Sequence, residues 1–258
     1  FKGVILGLSG GIDSALTLAV AVDALGSERV QAVMMPFEYT SQLSLDAAAE
    51  QAQQLGVNYQ EIPIGEIYKS FMDALEVEFA NTEPDVSEQN IQARCRGVLL
   101  MAISNKKGLL VLTTGNKSEI AVGYSTLYGD MAGGFDVLKD VSKTLVYRLA
   151  EYRNTSYSGQ KELVIPQQVI DRPPSAELAP NQVDQDSLPP YDELDRILEL
   201  YVENDLSADA IVEQGFDVTV VKRVLRLVDL NEYKRRQSPI GVRLTQRGFG
   251  RDRRYPIT

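Results

Sequence analysis

Short, continuously apolar runs at residues 4–8, 30–35 and 109–113, with a weaker one at 57–64, alternate along the chain with helical patterns at 13–25, 44–55, 67–79 and 88–106. A run that is apolar at every position suits a strand buried on both faces. Strand and helix in strict alternation predict parallel βαβ units with helices on both sides of one sheet, an α/β, doubly wound parallel-sheet class. Gly26, directly behind the stretch 13–25, reads as that helix's stop signal. Ligands of such sheets sit off the carboxyl ends of the strands. The turn after residue 8 and the loops at 36–44 and 114–118 should therefore converge.

The texture changes after Asn154. Residues 154–190 show no sustained period and hold Pro166, Pro173, Pro174, Pro180, Pro189 and Pro190, which predicts an extended, irregular excursion rather than a packed element. Helical patterns resume at 191–204, 207–214 and 217–236, the last with Val218, Val221, Val224, Leu225 and Val228 on one stripe. The organisation expected is a nucleotide-binding α/β core over 1–153, the excursion over 154–190, and additional C-terminal helices with a basic tail over 191–258.

Composition narrows the chemistry. With 258 residues and 44% apolar content the chain can bury a core, and with one cysteine it has no internal disulfide or thiolate zinc cluster. There is no histidine, which removes Ser-His-Asp and Cys-His triads and histidine metal ligands. Catalysis would have to come from positioning, electrostatics and a cation. No apolar run reaches eighteen residues and no targeting leader is recognisable, so a cytoplasmic protein without a membrane partner is expected. The net charge of −10 divides into +8 over residues 222–258 and −18 over the rest. An acidic body argues against nucleic acid as a partner. The basic tail could meet an anionic nucleotide or pair with an acidic surface of a neighbouring subunit, and composition favours the second.

The most specific local signal is Ser9-Gly10-Gly11-Ile12-Asp13-Ser14, between the first apolar run and the first helical stretch. A turn of this kind aims backbone N–H groups and the positive end of a helix at one point, and glycine lets an anion come close. Asp13 suits a polyphosphate only with a divalent cation between them, so a magnesium-bound nucleotide is the expected ligand. The Gly-x-x-x-x-Gly-Lys-Ser/Thr and Gly-x-Gly-x-x-Gly patterns are both absent. Glu119, in Thr114-Gly115-Asn116-Lys117-Ser118-Glu119, is a second carboxylate expected near the metal. As a lone motif it would read as a helix cap with Glu in the first turn, but its position at the same sheet edge favours the site.

Three further segments are weaker. Residues 124–135 are too glycine-rich for a helix and too aromatic for a solvent loop; they could wrap a ligand, although a structural Ω-loop is the default. Asn90 and Arg94 lie four apart on one helical face, suited to an anion or amide, or simply to solvent. Cys95, among Val98, Leu99 and Met101, reads as a small core residue.

Ser-Gly-Gly-x-Asp-Ser resembles the signature of the ATP pyrophosphatases, which activate a carbonyl or carboxyl oxygen by adenylation. Together with Tyr39-Thr40-Ser41, Asn90-Ile91-Gln92-Ala93-Arg94, Thr114 to Glu119, Tyr128-Gly129-Asp130-Met131-Ala132-Gly133-Gly134, Pro174-Ser175-Ala176-Glu177-Leu178, Asp186 to Tyr191, and Phe249-Gly250-Arg251-Asp252-Arg253-Arg254, it makes the whole chain resemble NAD⁺ synthetases. The likeness is in particular to the synthetase portion of the glutamine-dependent, two-domain form.

That resemblance implies an adenine nucleotide alpha-hydrolase-like fold and a C–N ligase that converts deamido-NAD⁺ to NAD⁺ through an acyl-adenylate, with Mg²⁺ as cofactor and ATP as co-substrate. It implies that Gly7, Leu8, Ser9, Gly10, Gly11, Ile12, Asp13 and Ser14 hold the ATP phosphates, that Thr114 lies near the adenylate, and that Asp13 and Glu119 bind the metal. Asn90, Arg94, Glu119 and Lys234 would contact deamido-NAD⁺. Lys143 matches a lysine that approaches the phosphates, with Lys139 as a rival. A homo-oligomer with its sites near the interface is implied. The two-domain form carries a glutaminase domain ahead of the synthetase, and here the first strand starts within three residues of residue 1. The expectation is either a piece of a longer protein or a form fed by free ammonia; the irregular stretch 154–164 and the lack of histidine favour the first. A tRNA-modifying ATP pyrophosphatase is the alternative, sharing the first turn but wanting a basic face.

Overall fold

The computed structural model describes residues 1–155, 163–180, 182–250 and 252–257. Five parallel strands form one sheet: β1 (Gly3–Gly7), β2 (Val30–Met34), β3 (Asn58–Glu61), β4 (Leu109–Thr113) and β5 (Phe135–Asp136), in the order β3-β2-β1-β4-β5. The central strand β1 sets Leu6 between Ala32 of β2 and Leu112 of β4, all three buried. Such burial on both faces is what the unbroken apolar runs dictate. β5 was not legible in the sequence. It is two residues long and pairs Phe135 with Leu112 and Asp136 with Thr113.

Helices α1 (Ile12–Leu25) and α2 (Gln42–Leu55) pack on one face, where Leu18, Ala21, Ala48 and Ala52 meet Leu6, Ala32 and Leu112. Helices α3 (Gly65–Leu75) and α4 (Val86–Lys107) cover the other, where Ile91, Cys95 and Leu100 meet Ile5, Val33 and Val111. Cys95 is thus a core residue, as its apolar neighbours indicated. Gly26 caps α1 as expected, with φ of 83°.

The chain then leaves the sheet through α5 (Lys117–Val122) and α6 (Lys143–Thr155). The segment after residue 163 corrects the expected extended excursion. It contains α7 (Gln167–Asp171), and Val164, Ile165, Val169 and Ile170 are buried against Ile12, Leu16 and Ala19 of α1 and Val146 and Ala150 of α6. Pro166 opens α7, where a missing N–H costs nothing, and the Asn154 side chain exchanges two hydrogen bonds with the Ile165 backbone, at 2.8 and 3.0 Å. The portion of the excursion at 156–162, together with Asn181, Arg251 and Thr258, lies outside the described residues.

The C-terminal helices form a second layer on α5. In α8 (Tyr191–Leu198), Leu194 and Ile197 join Val221, Val224 and Val228 of α10 (Val218–Leu230) around Ile120, Ala121 and Val122. Each such buried valine contributes on the order of 1.5–3 kcal/mol. The helical pattern at 191–204 ends as a π-helical turn, Glu199–Glu203, followed by α9 (Ala208–Val212). The pattern at 217–236 breaks at Asn231 before α11 (Glu232–Arg235) because the Asn231 amide donates to the carbonyls of Val122 and Leu227.

Part of the basic tail pairs within the chain. Arg235 is buried on Glu232 at 3.0 Å and lies under Phe249 and Tyr255, and Arg247 and Arg253 both reach Asp205. Asp140 accepts from the backbone N–H groups of Leu244 and Thr245 and meets Lys117 at 2.8 Å, fastening the tail beside β5.

Candidate functional site

The strand order reverses its direction of travel between β1 and β4, the point at which doubly wound sheets bind ligands. A cavity of about 280 Å³ lies there. Its wall includes Gly7, Leu8, Ser9, Gly11, Ile12, Asp13 and Ser14 from the first turn, Thr114 and Glu119 from the end of β4 and start of α5, and Lys143 from the first residue of α6. The three expected loops do converge.

The turn is held by its own hydroxyls. Ser14 Oγ accepts from the Ser9 N–H at 3.2 Å and donates to the Gly11 carbonyl at 3.0 Å, and Ser9 Oγ accepts from the Gly11 N–H at 3.2 Å. Gly10 adopts φ of +76°, and a Cβ there would lie 2.3 Å from the Ser44 carbonyl oxygen at the start of α2. Both conformation and space demand glycine. The turn therefore sits pressed against the N-terminus of α2 as well as opening α1.

Beside it lies a buried charge centre. Lys143 Nζ is 2.6 Å from Asp13 Oδ2 and 2.9 Å from Glu119 Oε1, with the lysine side chain 2% exposed. Burial opposes the charge of Lys143, but the two carboxylates outweigh it and raise its pKa. Burial raises the Glu119 carboxyl to about 8, with Lys143 pulling the other way and Asp13 adding to the rise. The Asn116 side chain joins the two halves: its Oδ1 caps α5 by accepting from the Glu119 N–H at 3.0 Å, and its Nδ2 donates to Asp13 Oδ1 at 2.9 Å. The helix cap and the site are thus one arrangement, not alternatives. Ser118 Oγ accepts from the Lys143 N–H at 2.9 Å and itself donates to Asp195, which also accepts from the Thr144 N–H at 2.8 Å.

Of the two lysines, Lys143 is the one in the cavity. Lys139 instead donates to Ser238 Oγ at 2.8 Å and to the Pro239 carbonyl, serving the tail. Asn90, Arg94 and Lys234 do not line this cavity. Asn90 Oδ1 accepts from Thr126 Oγ1 at 2.8 Å, Arg94 Nε donates to the Leu127 carbonyl at 3.2 Å, and Lys234 Nζ donates to the carbonyls of Gly123 and Ser125, both at 2.8 Å. All three clasp the segment 123–130. That segment does wrap the cavity, which Tyr124, Ser125, Gly129, Asp130, Met131 and Ala132 line.

Several wall residues carried no assignment from the sequence. Arg172 donates to the Gly10 carbonyl at 2.9 Å and to Ser44 Oγ at 2.8 Å, while Glu177 accepts from Ser41 and Ser44, each at 2.8 Å. Asp184 accepts from the Tyr191 hydroxyl at 2.7 Å, and burial raises its pKa. Burial also lowers the Arg96 guanidinium to about 10; its Nε donates to the Met35 carbonyl at 2.9 Å. Glu177 was part of a quoted motif, and the Pro-Pro step after Arg172 was a usable sign of an ordered loop. Nothing local singles out Asp184.

A family model described as NAD synthase matches residues 1–238. A glutamine-dependent NAD(+) synthetase of Acinetobacter baylyi is 62% identical over 257 residues, covering 100% of this chain and 47% of that protein. The solved structure of a glutamine-dependent NAD+ synthetase from Acinetobacter baumannii in complex with ADP is 59% identical, with a TM-score of 0.66, and covers 100% of this chain and 46% of its own. An NMN synthetase from Francisella tularensis superposes with a TM-score of 0.74 at 26% identity, covering 90% of this chain and 86% of its own. The chain spans about half the length of the curated relatives it matches. The tRNA-modifying alternative finds no support in these comparisons. Among the described residues no helix is long and apolar enough to cross a membrane.

Proposed function

Because this chain belongs to the NAD synthase family, we propose that it carries out the ATP-dependent amidation of deamido-NAD⁺ to NAD⁺, releasing AMP and pyrophosphate. The observation that carries this reading is the meeting of the Ser9–Ser14 turn with the Asp13–Lys143–Glu119 centre on one cavity wall. The nicotinate carboxylate attacks the α-phosphorus of ATP and expels pyrophosphate; ammonia then attacks the acyl carbon, AMP leaves, and the nitrogen gives up a proton to yield the amide.

The chain's own contribution is electrostatic and positional. The turn amides and the start of α1 receive the phosphates, Lys143 offsets negative charge as carboxylate and triphosphate approach, and the segment 123–130 shields the adenylate from water. Asn90, Arg94 and Lys234 belong to this reading as contacts of the dinucleotide made over that segment. Asp13 and Glu119 would hold Mg²⁺. Two hard carboxylates facing one cavity suit an ion that takes one or two carboxylates and completes its shell from water and phosphate. When bound, the ion supplies charge neutralisation between the two anionic substrates.

The relatives' names and their doubled length support a glutaminase domain as the nitrogen source, with free ammonia as the other supply. The exposed apolar side chains Val86, Val98 and Met101 of α4 support a homo-oligomer, and a cytoplasmic location completes the proposal. The test is AMP and pyrophosphate formation with deamido-NAD⁺, ATP, magnesium and ammonium, with nicotinate mononucleotide and glutamine in parallel assays. No pyrophosphate with either nicotinate substrate would end this reading.

A further inference from the structure

The cradle is short of positive charge. The cations on the cavity wall are Arg96, Lys143 and Arg172. Lys143 is held between Asp13 and Glu119, so it offers the turn no surplus positive charge. Arg96 lies on α4 and donates through Nε to the Met35 carbonyl. Asp184 and Glu177 add two more acidic groups to the same wall. A polyphosphate entering here needs a cation at the turn itself.

Arg172 is at that position. Its Nη2 donates to the Gly10 carbonyl at 2.9 Å and lies 3.9 Å from where a Cβ on Gly11 would sit. Its Nη1 donates to Ser44 Oγ at 2.8 Å, and its contact with Glu177 is long, at 3.4 Å. A guanidinium offers five N–H donors in a planar fork. The contacts above use three of them, so Nε–H and one Nη2–H have no partner among the described residues. Glu177 Oε1 also accepts from the hydroxyls of Ser41 and Ser44, each at 2.8 Å. Glu177 thus keeps two hydrogen bonds when Arg172 turns toward an anion.

We propose that Arg172 is a ligand of the terminal phosphates of ATP, gripping the departing diphosphate at the Ser9–Ser14 turn. This rests on the ATP reading given above. Planar, bidentate recognition of phosphate is what arginine does better than lysine. Downstream of Arg172, Gln92 ties the Leu178 carbonyl to α4 at 3.1 Å.

The experiment is calorimetric titration of ATP, inorganic pyrophosphate and AMP, with magnesium, into the full chain and its Arg172→Ala and Arg172→Lys variants. Arg172→Ala should weaken ATP and pyrophosphate by about tenfold or more, the scale of a lost charge-assisted pair, and leave AMP within about twofold; Arg172→Lys should recover part of the loss. Unchanged ATP and pyrophosphate affinity, or an equal loss for AMP, would overturn the assignment. If the unmodified chain bound no ATP, the ATP reading itself would fall, which is a different result.

Discussion

Lys143 reaches Asp13 across 130 positions of sequence, its Nζ 2.6 Å from the carboxylate Oδ2. The contact joins the first turn of the sheet to the first residue of α6, and Glu119 makes it a three-membered centre. Lys143 is the member on which the other two depend: removing it leaves two buried carboxylates without their cation, whereas removing one carboxylate leaves an ion pair.

Asp13→Asn tests the carboxylate without dismantling its surroundings. The amide can still accept from Asn116, and Lys143 keeps Glu119, so the fold should persist. Turnover should fall by about 10²-fold or more, the scale of losing one electrostatic contact to the transition state. Pyrophosphate release measured with ammonium as nitrogen donor checks this, and near-normal rates would remove Asp13 from the mechanism.

Lys143→Met leaves Asp13 and Glu119, both largely buried, without the cation between them. Stability should drop by roughly 3–5 kcal/mol, and magnesium should restore part of it by binding the folded form. Urea denaturation in EDTA and in magnesium makes the comparison. A loss that magnesium does not reduce would speak against the two carboxylates as its ligands.

Gly10→Ala combines an unfavourable φ of +76° with a Cβ 2.3 Å from a backbone oxygen. The backbone conformation alone costs about 1–3 kcal/mol, and the clash forces the turn away from α2. Lower stability together with weakened ATP binding is expected in denaturation and nucleotide titration. Retained affinity would show that the nucleotide does not depend on this turn.

Asp136 on the cavity wall has its carboxyl pushed up from 3.8 to about 7 by burial, against the pull of Lys139. The folded chain therefore holds that proton more tightly than the unfolded chain does. This group's contribution is greatest below pH 3.8 and is lost as pH rises toward about 7. Asp136→Asn should flatten the fall in stability across that window, by an amount on the order of 1 kcal/mol or more. Urea midpoints at pH 5 and pH 7.5 report it, and parallel profiles for the two proteins would contradict it.

Much of the fold could be read along the chain because its strands are buried on both faces, so burial is written as unbroken apolar runs and no partner need be known. The same holds for the Ser9–Ser14 turn, whose hydroxyl and glycine requirements are local. β5 escaped because two residues carry no period, and the break at Asn231 escaped because its cause is a carbonyl on another helix. Lys139 and Lys143 are equivalent by sequence; only their neighbours separate them, one facing the tail and the other the carboxylates. Sequence by itself determined the layers, the edge where a ligand would lie and the acidic residues at that edge. The tertiary structure alone decided which cation meets them, that Asn116 binds cap to site, and that Arg172 arrives at the glycine turn, because these pairings span more than a hundred residues and depend on direction as well as order.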